Sequence, residues 1–182
     1  KLGLTHSDVV LLAGSTHAGE EELVVAAHAR VREQFPFARL IIVPRHPARA
    51  GQVGGLLHPS QATTRLLSKV AEGERWDVLI VDVMGVLSQL YHLASASFVG
   101  GSLVPKGGQN PLEAAAAGCP VLFGPDMRDF PDISQGMLEA GAALQIANAG
   151  ELADEWLRLL GETETRNRMK EGSRRFINQY CG

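Results

Sequence analysis

Short runs of apolar residues alternate with longer, more polar segments along the chain. The apolar runs span residues 8–15, 38–44, 77–83, 96–101, 120–125 and 142–147. Each has the length of a β-strand, and each is continuously apolar rather than alternating, as expected for strands that are buried on both faces. The pattern therefore predicts an α/β fold, a Rossmann-like parallel sheet with helices on both faces.

The first segment between two such runs, about residues 19–34, has the charge pattern of a helix. Three consecutive glutamates lie near its start at residues 20–22, and Arg30 and Arg32 lie near its end. This distribution complements the helix dipole, which favours acids at the N-terminus and bases at the C-terminus. We therefore predict a helix over this segment.

The remaining segments give weaker or simpler patterns. Residues 48–73 contain several helix and strand breakers and predict only a short helix, with a further strand within 62–68. Beyond Ala149 the chain is charged and helical in character, with an apolar stripe that includes Trp156. We predict two helices there, the second over about 164–179.

Composition excludes several classes of protein. The chain has 182 residues, of which 45% are hydrophobic, and a formal net charge of −3, which suits one soluble α/β domain. It has no basic stripe with interleaved aromatic residues, so we expect no nucleic-acid partner. Two cysteines give no disulfide framework and favour a reducing compartment. No apolar run approaches the roughly 20 residues of a membrane span. Because the chain begins KLGLTHSD, without Met, we expect a fragment.

Polar residues follow several of the predicted strands, and the carboxyl ends of parallel strands are where such sheets bind ligands. Together they offer cations, hydroxyls, helix N-termini and one carboxylate, which suits a nucleotide: positive groups for phosphate and a carboxylate for ribose hydroxyls. The candidates are Ser15, Thr16, His17 and Glu20 after the first run, Arg45 and His46 after the second, Met84 and Gly85 after 77–83, and Lys106, Gly107, Gly108, Asn110 and Glu113 after 96–101.

The stretch KGGQNPLEAAAAGCP, residues 106–120, supports two interpretations. A glycine-rich loop that leads into a helix offers free N–H groups to a phosphate. Asn110 is a good N-cap, Pro111 suits the first helical position, and Glu113 at the third can reach back as in a capping box. From the residues alone, Glu113 is either such a cap or a ligand of a ribose.

Each candidate also has a structural interpretation. Arg45 can pair with a surface carboxylate, His17 and His46 can satisfy turns, and Met84 can belong to the core. We predict no metal site, because the six histidines show no H-E-x-x-H pairing and the cysteines form no C-x-x-C. The first run is followed by neither G-x-G-x-x-G nor a P-loop, which disfavours dehydrogenases and nucleoside triphosphatases.

The segments STHAGEE, IIVPRHPAR, DVMG and FVGGSLVPKGGQNPLEAAAAGCPVLFGP, in this order and spacing, resemble the C-terminal half of bacterial 3-deoxy-D-manno-octulosonic acid (Kdo) transferases, the lipid A Kdo transferases. The resemblance runs from about Val9 to the final helix. It implies the C-terminal half of a GT-B glycosyltransferase, in which two Rossmann-like domains face each other across a cleft. Residues 1–182 would form one nucleotide-sugar donor-binding domain, with the N-terminal acceptor domain outside this chain.

The resemblance also implies an activity for the intact protein. Such enzymes transfer Kdo from CMP-Kdo to a lipid A precursor with inversion, in lipopolysaccharide biosynthesis at the cytoplasmic face of the inner membrane. They need no cofactor and no metal at the donor phosphate. Their general base lies in the N-terminal domain, so no catalytic residue is expected in this chain, which alone would be inactive. Membrane contact would be made by the absent half.

The matching positions imply residue roles. Ser15, Thr16 and Arg45 resemble the set that binds phosphate, and Met84 and Gly85 would lie against the cytosine. Asn110 would reach the phosphate side and Glu113 the ribose hydroxyls.

The chain departs from the family pattern at four positions, which puts donor contacts in question. Val86 stands where the family usually has Glu and Gln109 where it has His, while Asp126 and Asp129 replace the usual His and Asn. These departures fit a divergent member or a paralogue that uses another sugar. Two further alternatives stay open: another GT-B enzyme, such as a UDP-sugar transferase or epimerase, and a nucleotide-binding module without catalysis. Base preference and an upstream acceptor domain would distinguish them.

Overall fold

The computed structural model describes residues 2–57 and 61–182. Residues 58–60, which belong to the predicted breaker-rich stretch, lie outside the described residues. The strands are β1 (Val9–Thr16), β2 (Ala38–Pro44), β3 (Thr64–Leu66), β4 (Val78–Ile80), β5 (Ala96–Val99), β6 (Val121–Phe123) and β7 (Ala143–Gln145). The helices are α1 (Glu21–Gln34), α2 (Ala50–Leu57), α3 (Leu87–Tyr91), α4 (Leu112–Ala116), α5 (Pro131–Glu139), α6 (Ala149–Gly161) and α7 (Thr163–Cys181), with a 3₁₀ turn at Pro47–Arg49.

The seven strands form one parallel sheet in the order β3-β4-β2-β1-β5-β6-β7. β1 is central: its Leu11 pairs with Leu40 of β2 on one side and with Ala96 of β5 on the other. The predicted parallel sheet is confirmed, including the short strand within residues 62–68. Because all strands run the same way, the segments that follow β1, β2, β4 and β5 meet at one edge.

Helices cover both faces of the sheet, as predicted. One apolar cluster joins α1, α2 and α6 to the sheet and contains the fully buried Trp156. The other joins α3, α4, α5 and part of α7 to the opposite face and contains Trp76 and Tyr91. The continuous apolar character of β2, buried at every position, follows from these two layers.

Several strands are shorter than the apolar runs that predict them. The run at 77–83 pairs only over Val78–Ile80, and Asp82 then accepts hydrogen bonds from the backbone N–H and hydroxyl of Ser68. Val81, just beyond this pairing, is still fully buried and Val83 is half-buried, so the apolar run extends past the last paired residue. Within the described residues, no helix is long and apolar enough to cross a membrane.

Candidate functional site

A pocket of about 380 Å³ lies at the carboxyl ends of β1, β2, β4 and β5. Four segments that are far apart in sequence form its wall, which is how a parallel sheet assembles a ligand site. Its lining residues are Ser15, Val43, Pro44, Arg45, Pro47, Val83, Met84, Gly85, Val86, Leu87, Ser88, Gln109, Asn110 and Glu113.

The pocket brings together fewer than half of the predicted site residues. Those that line it are Ser15, Arg45, Met84, Gly85, Asn110 and Glu113. Sequence reasoning missed Ser88, which lies near the start of α3, and noted Gln109 only as a departure from the family pattern. Their positions immediately after a predicted strand or glycine loop were the available signal.

Ser15 has an unusual backbone. Its φ of +55° lies in the left-handed region, where it stands alone among the non-glycine residues that the structure describes. The residue after the neighbouring strand β5 approaches Ser15 closely, because a Cβ on Gly100 would collide with the Ser15 carbonyl oxygen. Ser15 is thus the irregular position, between Gly14 and Thr16, at which the pairing of β1 with β2 shifts register beside the pocket. Backbone strain of this kind is concentrated at functional sites.

Arg45 presents an unpaired guanidinium to the pocket. Its backbone N–H donates to the carbonyl of Thr16 at 2.9 Å, which fixes the chain just beyond β2, between Pro44 and Pro47. Within residues 2–57 and 61–182, no group bonds or pairs with its exposed side chain. The surface ion pair considered from sequence does not form with any described residue, and the cation stays available to an anionic ligand.

The predicted capping box does not form at Glu113. α4 begins at Leu112, one position later than expected, with Pro111 as the capping residue and no side-chain cap hydrogen bond. Asn110 Oδ1 instead accepts the Leu112 N–H at 3.0 Å, which is a local Asx turn. The exposed Glu113 carboxylate has no hydrogen-bond partner in the described parts of the chain. It is therefore free to bind a ligand.

Met84 and Gly85 form an exposed apolar surface in the same pocket as Arg45 and Glu113. The Met84 side chain is 73% exposed, so the core role considered from sequence is wrong. Gly85 has a φ of +81°, and a Cβ added there would contact nothing. A polarizable side chain beside bare backbone gives a surface on which a flat ring can lie.

Glu20 does not line the pocket. Its carboxylate is fully buried and accepts four backbone N–H groups. Oε2 receives those of His17 and Gly101 at 2.9 and 2.8 Å, and Oε1 receives those of Ser102 and Leu103 at 3.1 and 3.0 Å. Both oxygens are used, so Glu20 joins the start of α1 to the loop after β5 rather than presenting itself to a ligand.

Thr16 is also committed elsewhere. It is fully buried, and its hydroxyl donates to Glu21 Oε1 at 3.0 Å. Arg49 donates to both oxygens of the same carboxylate, from Nη1 to Oε1 at 2.6 Å and from Nη2 to Oε2 at 3.3 Å. Hydrogen bonding to Glu21 raises the pKa of Arg49. The structure therefore does not bring the Thr16 hydroxyl to the pocket, because the proton that a phosphate would need is already donated.

Two histidines lie at the pocket rim rather than in its wall. The rings of His17 and His46 meet edge to face, with centroids 6.0 Å apart. His17 Nε2 lies 3.3 Å from the amide nitrogen of Gln109, which does line the pocket. Burial lowers the pKa of His17; Glu20 opposes this shift, and Lys106 and His46 add to it. His17 is thus held in its neutral form at neutral pH.

The glycine loop is not a cradle of free N–H groups at Gly107 and Gly108. Gly107 donates to Asp126 Oδ2 at 2.9 Å, and Gly108 donates to the carbonyl of Gly101 at 2.8 Å. Both glycines are buried and have a φ of +80°. A Cβ on Gly107 would collide with the Asp129 carboxylate. The two aspartates that depart from the family pattern therefore pack around this loop.

Beyond these two glycines the loop keeps donors available. In the described part of the chain no acceptor receives the backbone N–H of Gln109 or of Asn110. Lys106 is exposed and lies outside the pocket wall. The same described residues contain no cluster of three or more His, Cys, Asp or Glu side chains that could hold a metal ion.

Comparisons with known proteins agree with this geometry. The 3-deoxy-D-manno-octulosonic acid transferase of Haemophilus influenzae is 33% identical over 162 residues, which cover 88% of this chain and 38% of that enzyme. The chain thus spans about two fifths of the length of this curated relative. No family model matches the sequence.

Two solved structures share the fold. The C-terminal CMP-Kdo binding domain of WaaA from Acinetobacter baumannii superimposes with a TM-score of 0.87 at 30% identity, covering 94% of this chain and 90% of that domain. WaaG, a glycosyltransferase involved in lipopolysaccharide biosynthesis, has a TM-score of 0.65 at 17% identity over 97% of this chain and 44% of its own, which shows the fold alone. The predicted likeness to the C-terminal half of a GT-B glycosyltransferase is confirmed, and the chain belongs to the 3-deoxy-D-manno-octulosonic acid transferase family.

Proposed function

We propose that this chain is the CMP-Kdo-binding half of a Kdo transferase. One observation carries the proposal: Arg45 and Glu113, whose charged groups have no partner among the described residues, line the same pocket at the carboxyl end of the sheet. An unpaired cation and an unpaired anion in one pocket match a ligand that carries both an anionic group and a diol.

Different residues of the pocket would bind the phosphate, the ribose and the base of the nucleotide. Arg45 would bind the phosphate through charge-assisted hydrogen bonds, together with the free N–H groups of Gln109 and Asn110. Glu113 would accept hydrogen bonds from the two ribose hydroxyls. Met84 and Gly85 would support the cytosine ring. Lys106 would add positive charge, and the rings of His17 and His46 would add hydrogen-bonding nitrogens, at the rim where the sugar carboxylate of the donor would lie.

The chemistry of transfer divides between two domains. In an inverting reaction the acceptor hydroxyl loses its proton to a base, its oxygen bonds to the anomeric carbon of Kdo, and the bond from that carbon to the phosphate oxygen breaks. CMP leaves with the electron pair, and Arg45 would stabilise the negative charge on its phosphate. The base would belong to the acceptor domain of the intact protein, so this chain alone would transfer no sugar.

The setting of the reaction forms part of the same proposal. The acceptor would be a lipid A precursor, reached at the cytoplasmic face of the inner membrane through the protein's own N-terminal domain. The donor phosphate would need no metal, because CMP-Kdo has a single phosphate and Arg45 supplies a cation.

Calorimetric titration of the chain with CMP, UMP and UDP tests the proposal. We expect CMP to bind more tightly than UMP, with no change when a chelator is added. Tighter binding of UDP than of CMP would favour a UDP-sugar enzyme instead, and a large loss of CMP affinity in chelator would contradict the metal-free site. Turnover of CMP-Kdo by this chain alone would contradict the proposal that the base belongs to the acceptor domain.

A further inference from the structure

A second pocket lies at the opposite edge of the sheet, at the amino ends of β2, β3 and β4. It has a volume of about 410 Å³ and is lined by Arg32, Pro36, Phe37, Arg39, Thr63, Arg75, Trp76 and Asp77. It shares no lining residue with the candidate donor pocket. Three arginines around one cavity are an unusual concentration of positive charge in a chain of net charge −3.

Arg39 supplies a buried charge at the base of this pocket. Its side chain is 3% exposed and its Nε donates to Asp8 Oδ1 at 3.1 Å, while the ring of Trp76 lies 5.1 Å from its Cζ. Nη2 pairs with Asp8 Oδ2 at 3.1 Å, whereas among residues 2–57 and 61–182 no group accepts a hydrogen bond from Nη1. A buried N–H donor without an acceptor is rare, and this one belongs to a residue that lines the pocket.

The other two arginines lie nearer the mouth. Arg75 is 67% exposed, and its pairing with Asp8 is loose, at 4.0 Å. Arg32 is 30% exposed and pairs with Asp77 at 3.2 Å. Asp77 also accepts the backbone N–H of Thr63 at 2.8 Å.

The charges do not cancel. Three guanidinium groups face two carboxylates, those of Asp8 and Asp77, which leaves one excess positive charge. Burial raises the pKa of Asp8, but hydrogen bonds from Thr5 and the charges of Arg39 and Arg75 lower it overall, so Asp8 is ionised at neutral pH. Both carboxylates are already hydrogen-bonded, and the donors at the mouth are in excess.

We propose that this pocket binds a phosphate group. A phosphate has several oxygens and can accept bonds from Arg32 and Arg75 at the mouth and from the Thr63 hydroxyl, while Arg39 contributes its charge from behind. Phe37, 69% exposed beside the mouth, offers an apolar contact that a phospholipid would use and a free phosphate would not. This site is independent of donor binding.

Nuclear magnetic resonance with inorganic phosphate tests the site. The titration is made at constant ionic strength with chloride and with saturating CMP, so that the donor pocket is already filled. We expect the Trp76 indole signal to shift and that of Trp156, remote in α6, to stay. Absence of a Trp76 shift, or an equal shift with chloride alone, would overturn the proposal.

Arg75→Gln is the discriminating variant, because Arg75 is exposed and its loss leaves the buried Arg39–Asp8 pair intact. Arg174→Gln removes the same charge from an exposed pair on α7, where Arg174 lies 2.8 Å from Glu171. We expect phosphate to bind at least fivefold more weakly to Arg75→Gln and unchanged to Arg174→Gln. Equal affinities in the two variants would refute the site.

Vesicles of phosphatidylglycerol and of phosphatidylcholine identify the source of the phosphate. Retention on phosphatidylglycerol that falls in both Arg75→Gln and Phe37→Ser supports the site with a lipid headgroup as its ligand. A phosphate-induced Trp76 shift without retention on either vesicle supports it with a small phosphate compound instead.

Discussion

The Glu20 carboxylate accepts the backbone N–H of Gly101 at 2.8 Å, across 81 positions of sequence. Through this bond and three others the residue that precedes α1 fixes the loop that follows β5. The loop leads to Gln109, Asn110 and Glu113, so the geometry of that wall depends on a side chain that never touches the pocket.

Replacing Glu20 with Gln should therefore destabilise the fold. Each carboxylate oxygen accepts two N–H groups, and Gln would turn an NH₂ group toward two of them. Leaving two buried donors unpaired costs about 2 to 4 kcal/mol of unfolding free energy. Urea denaturation measures this, with Glu22→Gln, an exposed neighbour on α1, as the matched control. A loss no larger than the control's would show that the four bonds contribute nothing.

Replacing Glu113 with Gln should weaken the binding of CMP and leave the fold intact. Among the described residues the Glu113 side chain makes no hydrogen bond, so Gln removes only the small contribution of its charge to the first turn of α4. Loss of charge-assisted bonds to the ribose should cost about 1.5 to 3 kcal/mol, roughly ten- to a hundredfold in affinity. Calorimetry checks this, and 2′,3′-dideoxy-CMP should bind both proteins equally. If CMP binds Glu113→Gln as tightly as the parent, Glu113 does not bind the ribose.

Replacing Arg45 with Ala should weaken the binding of CMP much more than the binding of cytidine. The unpaired guanidinium would lose its bonds to phosphate, about 1.5 to 3 kcal/mol, whereas the nucleoside has no phosphate to lose. Fluorescence or calorimetric titration of both ligands measures the difference. Arg174→Ala is the control, since Arg174 is exposed and pairs with Glu171 on α7 at 2.8 Å, away from the pocket lining. Equal losses for CMP and cytidine would place Arg45 away from the phosphate.

Stability should fall as the pH decreases from about 6.5 toward 4, because His28 is buried neutral. Burial lowers its pKa to about 4, although the hydrogen bond between its Nε2 and the Ala38 carbonyl, at 2.9 Å, opposes the shift. In this window the unfolded chain binds a proton that the native chain does not, so acid favours unfolding. The contribution is fully present above the unfolded pKa and decreases by about 2 to 3 kcal/mol by pH 4.5.

Urea denaturation at pH 7 and pH 4.5 measures that loss. In His28→Gln, which keeps a donor for the Ala38 carbonyl but does not titrate, the difference between the two pH values should shrink by the same amount. If the stability difference between pH 7 and pH 4.5 is the same in His28→Gln, then protonation of His28 does not cause the loss of stability in acid.

The apolar runs were sufficient to predict the sheet and most of its helices, because burial on two faces leaves a direct imprint on sequence. Proximity of strand ends follows from parallel topology, so Arg45, Met84 and Glu113 were predicted to meet. Hydrogen-bond partners left no such imprint. Nothing in the letters distinguishes a Glu20 that faces a ligand from one that faces four amides, or shows that Asp126 lies within reach of Gly107. The start of α4 was misplaced because Asn110 can cap a helix or close an Asx turn with the same side chain.

The packing of α1 against α6 affects how the chain is made. Val24, Ala27 and Val31 of α1 share a core with Leu152 and Trp156 of α6, which the ribosome delivers about 120 residues later. Throughout that interval the first helix has an uncovered apolar face on the nascent polypeptide. Exposed apolar surface of this kind makes an incomplete chain prone to aggregation. Slow synthesis across the middle of the gene should therefore prolong the exposure of this face and favour aggregation.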